Sequence, residues 1–179
     1  PLDVFHKFYK ERSPELRQVF LKWSKIAVSL TMLAGIFLII LGPRFIAWWI
    51  GPSYEVPSGQ VLRILMVSCL IFLPVRGVAL PILMGLGKPG VPTIAFLVAG
   101  VVNVALSIAL AGPYGIAGVA VGTAIPNVLF AAVVLVQTCR VLEMPVGEYL
   151  RYVGPRALIG SLPPLALLLW FRLGLDVRS

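Results

Sequence analysis

The chain has 179 residues, of which 59% are hydrophobic and 12% are charged, and its mean hydropathy is +0.98. A soluble domain usually has about 25% charged residues and about 45–50% apolar ones. The composition therefore excludes an ordinary soluble domain and predicts an all-α, polytopic membrane helix bundle.

The formal net charge of +8 would indicate nucleic-acid binding in a soluble protein. In a membrane protein, Lys and Arg instead accumulate in cytoplasmic loops and set the orientation of the chain. Much of the positive charge precedes the first apolar segment, at Lys7, Lys10, Arg12, Arg17, Lys22 and Lys25. We expect no nucleic-acid partner and a cytoplasmic N-terminus for this chain.

Five apolar segments approach the length of about 20 residues that a membrane-spanning helix needs. The predicted spans are Ile26–Leu41 (extendable to Ile50), Val61–Leu86, Val91–Ala111, Ile116–Val136 and Ala157–Leu173. We expect the first span to end near Gly42-Pro43, because proline disfavours a helix interior.

The region before the first span is predicted to be a basic amphipathic helix that lies on the cytoplasmic membrane surface, contacts anionic lipids and runs into the first span. Ser13 followed by Pro14 is typical of a helix start. One apolar face should contain Leu16, Val19, Phe20 and Trp23. The chain thus divides into a linker (1–25), a four-helix membrane part (26–137), a cytoplasmic loop (138–156) and an extra membrane helix with an outer tail (157–179).

The sequence opens on Pro1 rather than Met, and an odd number of spans is unusual for a finished bundle. Both features favour a piece of a longer protein. We therefore expect the principal partner of this chain to be a missing N-terminal part of the same protein.

Arg76 lies near the middle of the second predicted span. A guanidinium at this depth costs several kcal/mol by insertion scales, so it is rarely left facing lipid. Pro74 and Pro81 flank Arg76 and predict a bent helix, and Ser68 is expected on the same face two turns earlier. Two interpretations stay open: Arg76 meets an anionic substrate in a cavity, or it binds backbone carbonyls or a carboxylate on a missing helix.

The third and fourth spans are joined by the very short connection Gly112-Pro113-Tyr114-Gly115, which predicts an antiparallel hairpin. Both spans contain small and polar residues at helical spacing. Gly118 and Gly122 form a G-x-x-x-G pattern, which lets two helix backbones approach closely. With Gly115 they are predicted to mediate helix packing. Asn103 and Asn127 are candidates for a cavity lining, because amides rarely face lipid.

The predicted spans contain no Asp or Glu. No Ser/His/Asp, Cys/His or zinc-binding arrangement occurs, so we expect no catalytic residues, no metal and no cofactor, and a transporter rather than an enzyme. The string from Gly85 to Gly90 matches G-x-G-x-x-G but follows a membrane helix, so it predicts a tight cytoplasmic turn rather than a dinucleotide site.

Five short motifs follow one another along the chain, and their order and spacing carry a resemblance to a known family. They are Gly51-Pro52-Ser53-Tyr54, Val61-Leu62-Arg63-Ile64-Leu65, Gly85-Leu86-Gly87-Lys88, Val102-Asn103-Val104 and the run from Tyr114 to Thr123. On these motifs, which cover roughly residues 1–137, the chain resembles the C-terminal part of polysaccharide and lipid-linked-oligosaccharide flippases. These belong to the multidrug/oligosaccharidyl-lipid/polysaccharide exporter superfamily. The resemblance does not extend to Arg76.

This resemblance implies two six-helix lobes around a central cavity, with this chain supplying most of the second lobe. It also implies alternating-access transport of an anionic lipid-linked oligosaccharide or polysaccharide precursor to the outer leaflet. Two alternatives stay open. One is a drug or cation exporter of the same superfamily, and the other is a membrane-embedded glycosyltransferase or ligase that acts on polyprenyl-linked sugars.

Overall fold

The computed structural model describes residues 2–176, with side-chain positions for residues 14–156 and for Leu158, Ile159, Leu162, Pro163, Leu165, Ala166 and Trp170. This part of the chain is helical and contains no strand, as predicted. Its elements are α1 (Leu2–Trp49), a short 3-10 helix (Pro52–Tyr54), α2 (Glu55–Pro74), a π-helical turn (Val75–Ala79), α3 (Leu80–Gly85), α4 (Gly90–Val141) and α5 (Val146–Asp176).

Three of the described helical segments are long and apolar enough to cross a membrane. They are Pro14–Trp49, Pro52–Gly85 and Gly90–Val141. The second of these segments is called here the second rod. In it, α2, the π-helical turn and α3 follow one another without a break.

α4 consists of two antiparallel helices that meet at Gly115. A straight helix of its 52 residues would be about 78 Å long, more than twice the thickness of a hydrocarbon core. Gly115 instead has φ 59° and ψ −139°, a conformation that interrupts the helix. Gly118 then lies against the carbonyl of Leu110, and Gly122 lies against the backbone of Ser107. These close approaches show that the chain reverses, as the hairpin predicted between the third and fourth spans requires.

The first four predicted spans therefore fall within described apolar helices, the third and fourth being the two halves of α4. The fifth, 157–173, falls in α5, where the backbone is helical and most side chains lie outside the described residues. A count of five spans stays a prediction.

α1 corrects two expected helix boundaries. The helix begins at Leu2 and passes through both Pro14 and Pro43 to Trp49, so the start at Ser13 and the end near Gly42 are wrong. A proline removes one backbone hydrogen bond but leaves those on either side, and packing can keep the helix continuous. The predicted extension towards Ile50 is correct.

The apolar face predicted for the first segment is divided between two environments. Phe20 is fully buried and stacks on Tyr149 of α5, with ring centroids 5.0 Å apart. Val19 and Trp23 are exposed. This segment is thus the packed first part of α1 and runs into the first predicted span without a break, as predicted.

The segment 138–156, predicted as a loop, is helical except for residues 142–145. α4 ends in a Schellman motif, in which the Met144 N–H donates to the Cys139 carbonyl and Glu143 has a φ of 49°. α3 ends in the same way, where the Lys88 N–H donates to the Leu83 carbonyl and Gly87 has a φ of 66°. The predicted turn at Gly85–Gly90 is therefore correct in form.

The core lies where α1, the second rod, the second half of α4 and the start of α5 meet. Its buried apolar residues are Phe20, Phe72, Val75, Ala79, Leu83, Phe130, Ala131, Val134, Cys139, Val141, Leu142, Met144, Tyr149 and Val153. An ion pair between Arg17 and Glu148 joins α1 to α5 at the same end. The pKa of Tyr149 is raised above its usual value because the side chain is buried, and the adjacent Ser24 hydroxyl offsets part of this rise.

The two Schellman motifs give a paired stability prediction. Because a left-handed conformation costs an L-residue roughly 1–2 kcal/mol, Gly87→Ala should lower the apparent melting temperature of the purified protein in detergent, and Glu143→Gly should raise it. Gly90→Ala is the matched control, since an added Cβ there meets nothing within 4 Å. Equal melting temperatures for Gly87→Ala and Gly90→Ala would contradict the assignment.

The close contact within α4 gives a second prediction. A Cβ at position 122 would lie 2.7 Å from the Ser107 nitrogen, so Gly122→Ala should destabilise the protein by about 1–3 kcal/mol through overpacking. Gly100→Ala should not, because that position is open. Chemical unfolding of both variants in the same detergent measures the difference, and equal stabilities would argue against the contact.

Candidate functional site

The π-helical turn at Val75–Ala79 is the main irregularity of the second rod. The Leu80 N–H donates to the Val75 carbonyl, one residue further back than in an α-helix. Pro81 has no N–H, so the Gly77 carbonyl also lacks its usual helical donor. Turns of this kind occur frequently at functional sites.

This turn places Arg76 on the outside of the described bundle. Val75 and Ala79 are buried in the core, whereas Arg76 and Gly77 are exposed. The Arg76 guanidinium lies over the Phe72 ring, 5.5 Å from its centroid. Within the part of the chain that the structure describes, it forms no ion pair with a carboxylate. The result is an exposed cation next to Gly77, an exposed residue whose carbonyl lacks its usual helical donor.

The depth of Arg76 follows from the two ends of the apolar rod. Arg63 and Gly85 are about 33 Å apart along the helix axis, close to the roughly 30 Å of a hydrocarbon core. Arg76 lies about 13 Å from Gly85 on this scale. In a bilayer it would therefore lie near the middle of the apolar layer.

Ser68 does not share the surface of Arg76. It is 1% exposed and donates a hydrogen bond to the Leu65 carbonyl at 2.8 Å. Eight residues of α-helix already leave a large angular offset between the two positions, and the π-helical turn alters it further. The pair is therefore split between a groove and an outer face.

Ser68 instead lines an apolar groove between α2 and the second half of α4, called here the α2/α4 groove. Its volume is about 560 Å³. The lining residues are Arg63, Ile64, Val67, Ser68, Val121, Ala124, Ile125, Val128 and Leu129.

Asn103 and Asn127 lie on the two halves of the α4 hairpin, and both are partly buried. The contacts of Gly118 with Leu110 and of Gly122 with Ser107 place Asn103 level with Pro126, next to Asn127. Neither amide is hydrogen-bonded to another described residue. The structure thus brings these two candidates to one level, but not into the α2/α4 groove. Of the packing glycines, Gly118 and Gly122 are at the close contact, and Gly115 forms the turn.

Two contacts and one groove-lining residue were not predicted from the sequence. The Phe72–Arg76 pair has the four-residue spacing typical of helix-surface neighbours, so spacing alone could have indicated it. Arg63, which lines the α2/α4 groove, was noted in the sequence only as part of the motif Val61-Leu62-Arg63-Ile64-Leu65. The Arg17–Glu148 pair joins residues 131 positions apart, and no local pattern reports such a contact.

The described residues contain no group of three or more His, Cys, Asp or Glu side chains able to hold a metal ion. Cys69 and Cys139 are free thiols. The chemistry available at the candidate site is therefore that of Arg76, amides, hydroxyls and backbone carbonyls.

Comparison with known protein families, curated proteins and solved structures finds no match to this chain.

Proposed function

We propose that this chain is part of a membrane transporter that moves an anionic lipid-linked oligosaccharide or polysaccharide precursor across the bilayer by alternating access. The observation that carries the proposal is Arg76, an exposed cation in a π-helical turn of an apolar rod. The motif resemblance described above supplies the class of substrate.

The position of Arg76 supports a cavity on its side of the rod. A charged side chain at mid-depth is costly against lipid and is found facing a bundle interior or water. The described part of this chain offers no carboxylate to Arg76, and the predicted spans contain none. An anionic ligand and a second lobe covering this face would together provide the missing polar surroundings.

The chemistry around Arg76 suits a phosphate or pyrophosphate group. A guanidinium presents donors in a planar fork that matches phosphate oxygens. The Phe72 ring holds it from one side through a cation–π contact. We place the substrate's anionic group here and its sugars in the cavity that the two lobes would form.

The proposed location is the plasma (inner) membrane, with the N-terminus of this chain in the cytoplasm. The long apolar helices are compatible with a membrane protein. The excess of Lys and Arg before the first span supports the orientation. The Arg17–Glu148 end of the bundle would then lie at the cytoplasmic surface.

Arg76→Ala tests the proposal in the full-length protein. Loss of charge-assisted hydrogen bonds worth about 1.5–3 kcal/mol should slow translocation of a labelled lipid-linked oligosaccharide roughly 10- to 100-fold. The measurement is the rate of transfer into proteoliposomes, with the amount of reconstituted protein determined for each sample. Arg76→Lys should retain part of the rate, because the charge remains but the planar fork is lost.

Lys22→Gln is the matched control, since Lys22 is an exposed cation that belongs to α1 rather than to the second rod. It should transport at the unaltered rate. Undiminished transport by Arg76→Ala at normal protein levels would contradict the role assigned to this residue.

A further inference from the structure

We propose that the α2/α4 groove binds one hydrocarbon chain of an anionic bilayer phospholipid, with the lipid phosphate at Arg63. The inference requires the chain to lie in a bilayer, which it shares with the proposed function. It does not require transport or the role given to Arg76.

The lining of the groove favours an apolar occupant over water. A buried water needs two to four polar partners. The groove offers only two polar side chains, and one of them, Ser68, already donates its hydroxyl to the Leu65 carbonyl. The other, Arg63, lies at one end. The rest of the lining is aliphatic, so hydrocarbon fills it at the lowest cost.

The dimensions of the groove fit an alkyl chain that lies along it, whereas a whole helix does not fit inside it. Its longer wall, from Val121 to Leu129, rises about 12 Å. A volume of about 560 Å³ over that length corresponds to a cross-section of about 47 Å². A helix with its side chains has a cross-section of roughly 80 Å² or more.

The relative positions of α2 and the second half of α4 place Arg63 at one end of the groove, called here its mouth. Phe72 contacts Phe130 with ring centroids 5.8 Å apart, and the Thr138 hydroxyl lies 3.5 Å from the Ala79 carbonyl. α2 and the second half of α4 therefore run parallel, and Arg63 lies level with Val121. Both are at the end of the groove nearest the Gly115 turn.

The surroundings of Arg63 identify this mouth as a headgroup level. The nearby end of the bundle has exposed aromatic side chains at Trp48, Trp49, Tyr54 and Tyr114, and such aromatics are enriched where a membrane meets water. Arg63 is exposed and forms no ion pair within the described part of the chain. A lipid with a net negative headgroup supplies the missing charge while its chain enters the groove.

Native mass spectrometry of the full protein tests this, with phosphatidylglycerol and phosphatidylcholine of identical chains as probes. The unaltered protein should bind phosphatidylglycerol about fivefold more tightly, since a basic residue near the membrane surface contributes about 1 kcal/mol to attraction of anionic lipid. Arg63→Gln should remove this fivefold share of the preference, and Lys22→Gln should leave a larger preference than Arg63→Gln does. Equal affinities in the unaltered protein, or a preference as large in Arg63→Gln as in the unaltered protein, would overturn the proposal.

A second pair of variants tests whether the α2/α4 groove binds the hydrocarbon chain of the lipid. Ala124→Phe places a ring inside the groove and should weaken binding of both lipids, whereas Ala132→Phe adds the same ring to an exposed position outside it and should not. Thermal unfolding of each variant verifies that it is folded. Unchanged lipid binding by folded Ala124→Phe would refute the proposal that the groove binds the lipid's hydrocarbon chain. A dimer of the unaltered protein that Ala124→Phe dissociates would put a second copy there instead.

The result is separable from the transport experiment. Arg63→Gln is scored by lipid preference and Arg76→Ala by translocation rate. Failure of one leaves the other standing.

Discussion

The close backbone contact within the α4 hairpin is the constraint on which the arrangement of the other helices depends. A side chain at Gly118 or Gly122 would occupy the space of the Leu110 carbonyl or of the Ser107 backbone. Because these positions are glycine, the second half of α4 lies flat against the first and runs parallel to α2. That course produces the Phe72–Phe130 contact and leaves the groove beside Arg63.

The π-helical turn has the complementary effect on the second rod. It keeps Val75 and Ala79 in the core while Arg76 and Gly77 lie outside. In apolar surroundings an unpaired backbone carbonyl costs several kcal/mol, so such a turn persists only where packing or a polar cavity compensates for it. The buried side of the turn is packed here, and the proposed cavity accounts for the exposed side.

The helical class, the four central apolar helices and the turns at Gly85–Gly90 and Gly112–Gly115 could be predicted from hydropathy and glycine placement. The boundaries of α1 could not, because tertiary packing overrides the preferences of Pro14 and Pro43. The separation of Ser68 from Arg76 was partly predictable, since eight residues of α-helix already leave a large angular offset between them, whereas the π-helical turn that alters this offset further was not predicted. Neither the groove nor the Arg17–Glu148 pair has a local sequence signal, as each depends on distant segments meeting.

The contact between α1 and α5 also constrains the order in which the chain assembles during synthesis. Arg17 and its partner Glu148 are 131 residues apart, so at roughly 5–20 residues per second the ribosome needs roughly 7–26 s to supply the partner. During that interval Phe20 and Ser24 lack the surface of Tyr149 that later buries them. An apolar and basic face of α1 therefore stays uncovered until almost the whole bundle has been synthesised. The contact between α1 and α5 is thus the last part of the described core to form.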